Sequence, residues 1–138
     1  MTRNPERYRC AASLAGITDL KRQFRYVSGL IRPRDRDDWE DLMVGKSGVD
    51  LDTVSPLQAV SRLNRPVLIA HGEVDQRVPF KQAALYRSAL SKTGKAHEFV
   101  AYPDEGHGLD NPSNFRDWLE RLEAFLAKNL VTTVATAP

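Results

Sequence analysis

Cysteine is nearly absent: Cys10 is the only one in 138 residues, so no internal disulfide can form and no second thiol is available to complete a metal pair. Within its apolar run Cys10 reads as a small buried hydrophobe. Long apolar runs are missing too. The longest uninterrupted stretches, such as Val67 to Ala70, fall far short of the roughly 20 residues that span a bilayer. Met1 to Glu6 has no apolar segment of the kind that marks an export signal, so no anchoring or targeting element is expected in this chain and a soluble, cytoplasmic protein is the default. An excess of one charge is also lacking. Twenty Lys and Arg against eighteen Asp and Glu leave a formal charge of +2, dispersed along the chain, which gives no electrostatic footprint for nucleic acid or an anionic membrane. The densest charged run, Arg32 to Asp38, alternates in sign and reads as a solvated loop running into a helix start.

What remains is an ordinary globular composition, 41% hydrophobic and 28% charged, in a chain long enough for one domain with a real core. Cys10 to Ala15 and Val67 to His71 are short apolar runs without alternation, as expected of strands covered on both faces of a parallel sheet. The second run follows the extended boundary Arg65-Pro66. His97 to Tyr102 reads as a third strand. Phe80 to Thr93 has Ala83, Tyr86 and Leu90 at helical spacing and stops at Gly94. A final helix is capped by Asn111 and begins at Pro112; its stripe of Phe115, Trp118, Leu119, Leu122, Phe125 and Leu126 is assigned to the core. Between Thr18 and Asn64 the pattern is irregular, with one short helix around Trp39, Leu42 and Met43 and loops at Gly45 to Gly48 and Ser55-Pro56. Strand, helix and strand from Val67 to Tyr102 form a βαβ unit, so the fold class is α/β with three parallel strands joined by crossover helices. The tail from Val131 to Pro138, rich in Thr and Ala, is expected to fray.

In open α/β sheets, functional groups gather beyond the carboxyl ends of the strands. Two loops lie there: His71 to Pro79, containing Asp75, and Pro103 to Gly108, containing His107. Taken singly, Asp75 reads as a turn former and His107, between two glycines, as an exposed turn residue. Together they follow adjacent parallel strands and are placed to meet across the end of the sheet. An imidazole titrates near neutral pH and can take a hydroxyl proton and return it to a leaving group. An ionised carboxylate on its Nδ1–H fixes the tautomer that leaves Nε2 free. The expected catalytic residues are therefore Asp75 and His107, with no cofactor.

These loops and their surroundings resemble the prolyl oligopeptidase (S9) family of serine peptidases, whose catalytic domain is an α/β-hydrolase. The resemblance runs in order through Asn4-Pro5-Glu6-Arg7-Tyr8 and Cys10 to Leu20, then Ser55-Pro56-Leu57, Pro66 to Gly72, Asp75, Val78-Pro79 and Gln82, and finally Tyr102-Pro103 and Glu105-Gly106-His107-Gly108. It implies that residues 1–130 form the C-terminal part of that domain, with Asp75 as triad aspartate and His107 as triad histidine, in the family's order of nucleophile, acid and histidine. It also implies peptide-bond hydrolysis of short peptides by the complete protein.

One element of that pattern has no counterpart. No Gly-x-Ser-x-Gly elbow occurs in the sequence, and the resemblance places it upstream of Met1, together with its oxyanion amide and the earlier strands. Ser47 imitates it only in part, with Gly45 two residues before but Val49 where the second glycine belongs; as a phosphate loop it fails because Glu40 stands at the first glycine. The chain alone is expected to be inactive, and its first strand to expose an edge that drives self-association. The alternatives are a different α/β-hydrolase, such as a carboxylesterase or dienelactone-hydrolase-like enzyme, and a non-catalytic assembly module. A metal site of His71, Asp75 and His107 finds no supporting spacing, and His71 reads instead as a packed, hydrogen-bonded strand residue.

Overall fold

A computed structural model describes residues 4–45 and 48–130; Ser47 and the tail 131–138 lie outside the described residues. Three parallel strands, β1 (Ala11–Leu14), β2 (Val67–Gly72) and β3 (His97–Tyr102), form one sheet in the order β1-β2-β3. Ala11 pairs with Val67 and Leu14 with Ala70, while Val67 pairs with His97 and Gly72 with Tyr102, so all three strands end at the same edge. Every residue of β2 is buried, which is why its sequence shows no alternation: a central parallel strand has no solvent face.

The two faces of β2 anchor two cores. Val67 and Ile69 pack with Val60, Leu63 and, from α3 (Lys81–Lys92), Ala83, Tyr86 and Leu90. Leu68 and Ala70 face the other way and pack with Tyr102 and, from α4 (Pro112–Leu130), Trp118 and Phe125. Leu63, Leu90 and Phe125 are at most 2% exposed, and each such side chain contributes on the order of 1.5–3 kcal/mol through burial. The α3 helix ends as the sequence indicates, at Gly94 with φ 64°, a left-handed position that a side chain would strain. The N-terminus of α4 is capped by the Asn111 side chain, which accepts from the Ser113 amide at 2.9 Å.

Two expectations need correction. The region from Thr18 to Asn64 is more ordered than its pattern suggested: besides α2 (Arg36–Val44), which contains the expected short helix, it holds α1 (Leu20–Ser28), capped by Asp19 through the Arg22 amide at 2.9 Å. The signal was present in Leu20, Phe24 and Val27 at i, i+4 and i+7, and the ring of Phe24 lies 4.8 Å from that of Trp39. The stripe of α4 is the other correction. Only Trp118 and Phe125 are buried, with Leu122 and Leu126 partly so, whereas Phe115 and Leu119 remain 48% and 46% exposed. A three-stranded sheet is too narrow to cover so wide an apolar face. Among the described residues, β1 pairs with β2 alone, so its other edge carries no strand.

Candidate active site

Asp75 lies in the loop leaving β2, and its carboxylate is completely buried. Its Oδ1 accepts from the amides of Arg77 at 2.8 Å and Val78 at 2.9 Å, closing a turn on itself, which leaves Oδ2 aimed away from the loop backbone. His107, in the loop leaving β3, meets that oxygen with Nδ1 at 2.9 Å while its ring stays 38% exposed. The two sequence-predicted residues are thus brought into direct contact. Burial by itself raises the Asp75 pKa, but the Val78 amide, the His107 ring and the Arg77 amide together outweigh it and hold the carboxyl below its usual value. A carboxylate so placed makes Nδ1 of His107 the donor nitrogen and leaves Nε2 with a free lone pair.

The two loops are held to each other by their backbones. The amides of Glu73 and Val74 donate to the carbonyls of Tyr102 at 2.9 Å and Glu105 at 3.1 Å. Gly72 is needed for this approach: a Cβ there would collide with the carbonyl oxygens of Glu105 and Gly106. Glu105, 2% exposed, uses its carboxylate to order the next segment. It accepts from the amides of Asp110 at 2.9 Å and Asn111 at 3.0 Å and from the Asn114 side chain at 2.8 Å. The Asn114 contact and the two amides keep its pKa low against the opposing effect of burial. Glu105 therefore ties the histidine loop to the start of α4. Farther along, the Tyr102 hydroxyl donates to Asp117 at 2.9 Å, and burial first, then that acidic partner, pushes its pKa up to about 12.

A second set of contacts supports the acid loop from the side of α1. The Gln23 side-chain amide donates to the Arg77 carbonyl at 2.7 Å, and the Tyr26 hydroxyl to the Gln76 carbonyl at 2.7 Å. Gln82, 1% exposed on α3, accepts from the Asp19 amide at 2.7 Å and the Thr18 amide at 3.2 Å and donates to the Asp19 carbonyl at 3.0 Å, so the turn after β1 is fixed against α3. Gln23, Gln82 and Glu105 are positioning residues that sequence reasoning did not assign. Polar residues inside amphipathic elements were the available signal, but their partners are 54 to 64 residues away for the two glutamines.

His71 is packed and hydrogen-bonded, as its place at the end of β2 suggested. It comes within 3.3 Å of Asp75 Oδ2, so His71, Asp75 and His107 do converge. The converging nitrogens, however, are donors, His71 Nε2 to the Val78 carbonyl and His107 Nδ1 to the carboxylate, which takes those atoms out of metal ligation. Among the described residues, no group of three or more His, Cys, Asp and Glu side chains could hold a metal ion. His97, for which the sequence suggested no partner, has two: Nδ1 lies 2.8 Å from the Lys95 carbonyl and Nε2 lies 3.3 Å from Ser91 Oγ.

The profile of the prolyl oligopeptidase family matches residues 1–133. The chain belongs to the prolyl oligopeptidase family. Among curated relatives of this peptidase family, the dipeptidyl peptidase family member 6 of Caenorhabditis elegans is 26% identical over 134 residues, covering 94% of this chain and 18% of the relative. An uncharacterized peptidase of Bacillus subtilis, YuxL, is 38% identical over 68 residues, 49% of this chain and 10% of the relative. Among solved structures, a puromycin-hydrolyzing peptidase of Mycobacterium tuberculosis superposes with a TM-score of 0.75 at 24% identity, over 89% of this chain and 18% of that one. The fold is that of the C-terminal α/β-hydrolase portion of such peptidases, and the chain spans less than a fifth of the length of these relatives.

Proposed function

We propose that this chain supplies the acid and the base of a serine-peptidase site: Asp75 orients His107, and His107 exchanges a proton with a serine that is not among these 138 residues. The observation that carries the reading is the 2.9 Å contact between His107 Nδ1 and Asp75 Oδ2, made by a fully buried carboxylate and a part-exposed ring at the carboxyl ends of adjacent parallel strands. With a serine hydroxyl against His107 Nε2, the ring accepts its proton as the oxygen attacks the substrate's amide carbon. The imidazolium, stabilised by Asp75, then donates that proton to the leaving amine as the C–N bond breaks, leaving an acyl-enzyme. Water repeats the sequence: it gives a proton to Nε2, its oxygen displaces the serine, and the proton returns to the serine oxygen. The substrates are short peptides, a class supported by the dipeptidyl peptidase among the relatives.

The test has two arms. A serine-directed fluorophosphonate should leave the 138-residue chain unlabelled, since no nucleophile elbow is present. Joined in frame to a preceding segment that carries a Gly-x-Ser-x-Gly elbow, the chain should hydrolyse dipeptidyl anilides and lose about 10⁶-fold in kcat on His107→Ala. Retained activity in that variant would refute the assignment, and a marked preference for esters over anilides would favour a carboxylesterase-like hydrolase instead.

A further inference from the structure

The site contains a second imidazole that the acid–base reading leaves unused. His71, the penultimate residue of β2, is 0% exposed, and its Nε2 lies 2.8 Å from the Val78 carbonyl and 3.3 Å from Asp75 Oδ2, the same oxygen that holds His107. A carbonyl oxygen only accepts, so Nε2 carries the proton and donates it to Val78, with Asp75 Oδ2 beside it at 3.3 Å. Nδ1 then bears the lone pair, and this atom is buried without a hydrogen-bond partner. A buried polar atom left unpaired costs on the order of 1–3 kcal/mol, a penalty that an apolar residue at this point of a fully buried strand would not incur. The other nitrogen therefore accounts for the imidazole's place here. The ring is further fixed edge-on to Phe80, with centroids 6.0 Å apart, immediately before α3.

We infer that His71 is a positioning residue that acts through Asp75: its Nε2–H, held by the Val78 carbonyl, presents partial positive charge 3.3 Å from Oδ2 and favours the rotamer in which a lone pair of that oxygen points at His107 Nδ1. The inference rests on the Asp75–His107 pair proposed above and adds to it the group that orients the acid. Oδ1 is committed to two amides of its own loop, so it fixes the position of the carboxylate, while Oδ2 meets His107 at 2.9 Å and has the His71 N–H at 3.3 Å. His71 supplies the part of that environment that belongs to the fully buried strand.

Three measurements on the 138-residue chain test this. In the unaltered chain, a long-range ¹H–¹⁵N spectrum should show His71 protonated at Nε2 and bare at Nδ1; an Nδ1-protonated ring overturns the inference without any substitution. The Asp75→Asn variant should abolish the slowly exchanging, low-field Nδ1–H resonance of His107. If the resonance persists there, the acid–base pair itself is wrong and His71 has nothing to position. With the pair established, His71→Gln, whose amide reaches the place of Nε2, should keep the resonance. His71→Asn, whose shorter amide stands in for Nδ1, should speed its exchange about tenfold, the equivalent of one modest hydrogen bond. Equal exchange rates in the two variants would overturn the proposal, because a purely space-filling role does not distinguish them by the reach of the amide.

Discussion

Replacing Asp75 by Asn probes the centre of the site with almost no change of shape. Three donors are bonded to the carboxylate, the amides of Arg77 and Val78 on Oδ1 and the ring of His107 on Oδ2, and the His71 N–H, bonded to the Val78 carbonyl, stands 3.3 Å from Oδ2. An asparagine offers one oxygen and one NH2. If its oxygen keeps the two amides, the NH2 faces His107 Nδ1, which can accept only after the part-exposed ring moves its proton to Nε2, the tautomer unfit to act as base. Turned over, the NH2 sets donor against two backbone donors in a space from which water is excluded, since the Asp75 side chain is 0% exposed. Loss of charge assistance at three hydrogen bonds costs about 2–4 kcal/mol. For a chain of this size that lowers the melting temperature by roughly 8–16 °C at pH 7.

The same contacts set the pH dependence. Because the folded state holds the Asp75 carboxyl below its ordinary value, the stability it contributes is fully present above that ordinary value, about 3.9, and is lost as pH falls through the depressed folded value. Asparagine resembles the protonated acid at every pH. Urea unfolding of both proteins should therefore give the same difference at pH 7 and pH 5, and a smaller one as the pH is taken below about 4. A variant that melts within a degree or two of the parent at pH 7, or a difference that persists undiminished in acid, would refute the argument that donors converging on an ionised carboxylate hold the two loops.

Two further outcomes follow from the backbone. Gly72→Ala drives a methyl group against the Glu105 and Gly106 carbonyls, which should cost about 1–3 kcal/mol in urea unfolding and displace the histidine loop, so that the His107 Nδ1–H resonance weakens along with stability; a fully stable variant with an unaltered resonance would be the contrary result. We further propose that the unpaired edge of β1 draws copies of this chain together, so light scattering at tens of micromolar, a concentration at which exposed strand edges associate, should show species larger than the monomer. A lysine in place of the exposed Ala12 on that strand should reduce them, and a monodisperse parent would count against the edge as the cause.

How far the sequence revealed this arrangement depended on the range of the interactions involved. The strands were legible because central burial removes alternation, and α3 because Gly94 stops it in a left-handed turn that only local backbone geometry decides. Asp75 and His107 were legible for a similar reason: each sits just past a strand end, and parallel pairing of β2 with β3 in register brings such ends together without further information. The face of α4 was misjudged because helical periodicity reports which residues are apolar on one side and carries nothing about the width of the sheet beneath them; Phe115 and Leu119 belong to the pattern but lie beyond the cover three strands provide. Least legible were Gln23, Gln82 and Glu105, whose roles depend on carbonyls and amides that every residue possesses. A polar side chain that recognises main chain leaves no complementary residue type elsewhere in the sequence. The proposed acid–base pair thus announces itself in residue types, while its geometry rests on backbone contacts and on the protonated nitrogen of His71, which sequence alone does not identify.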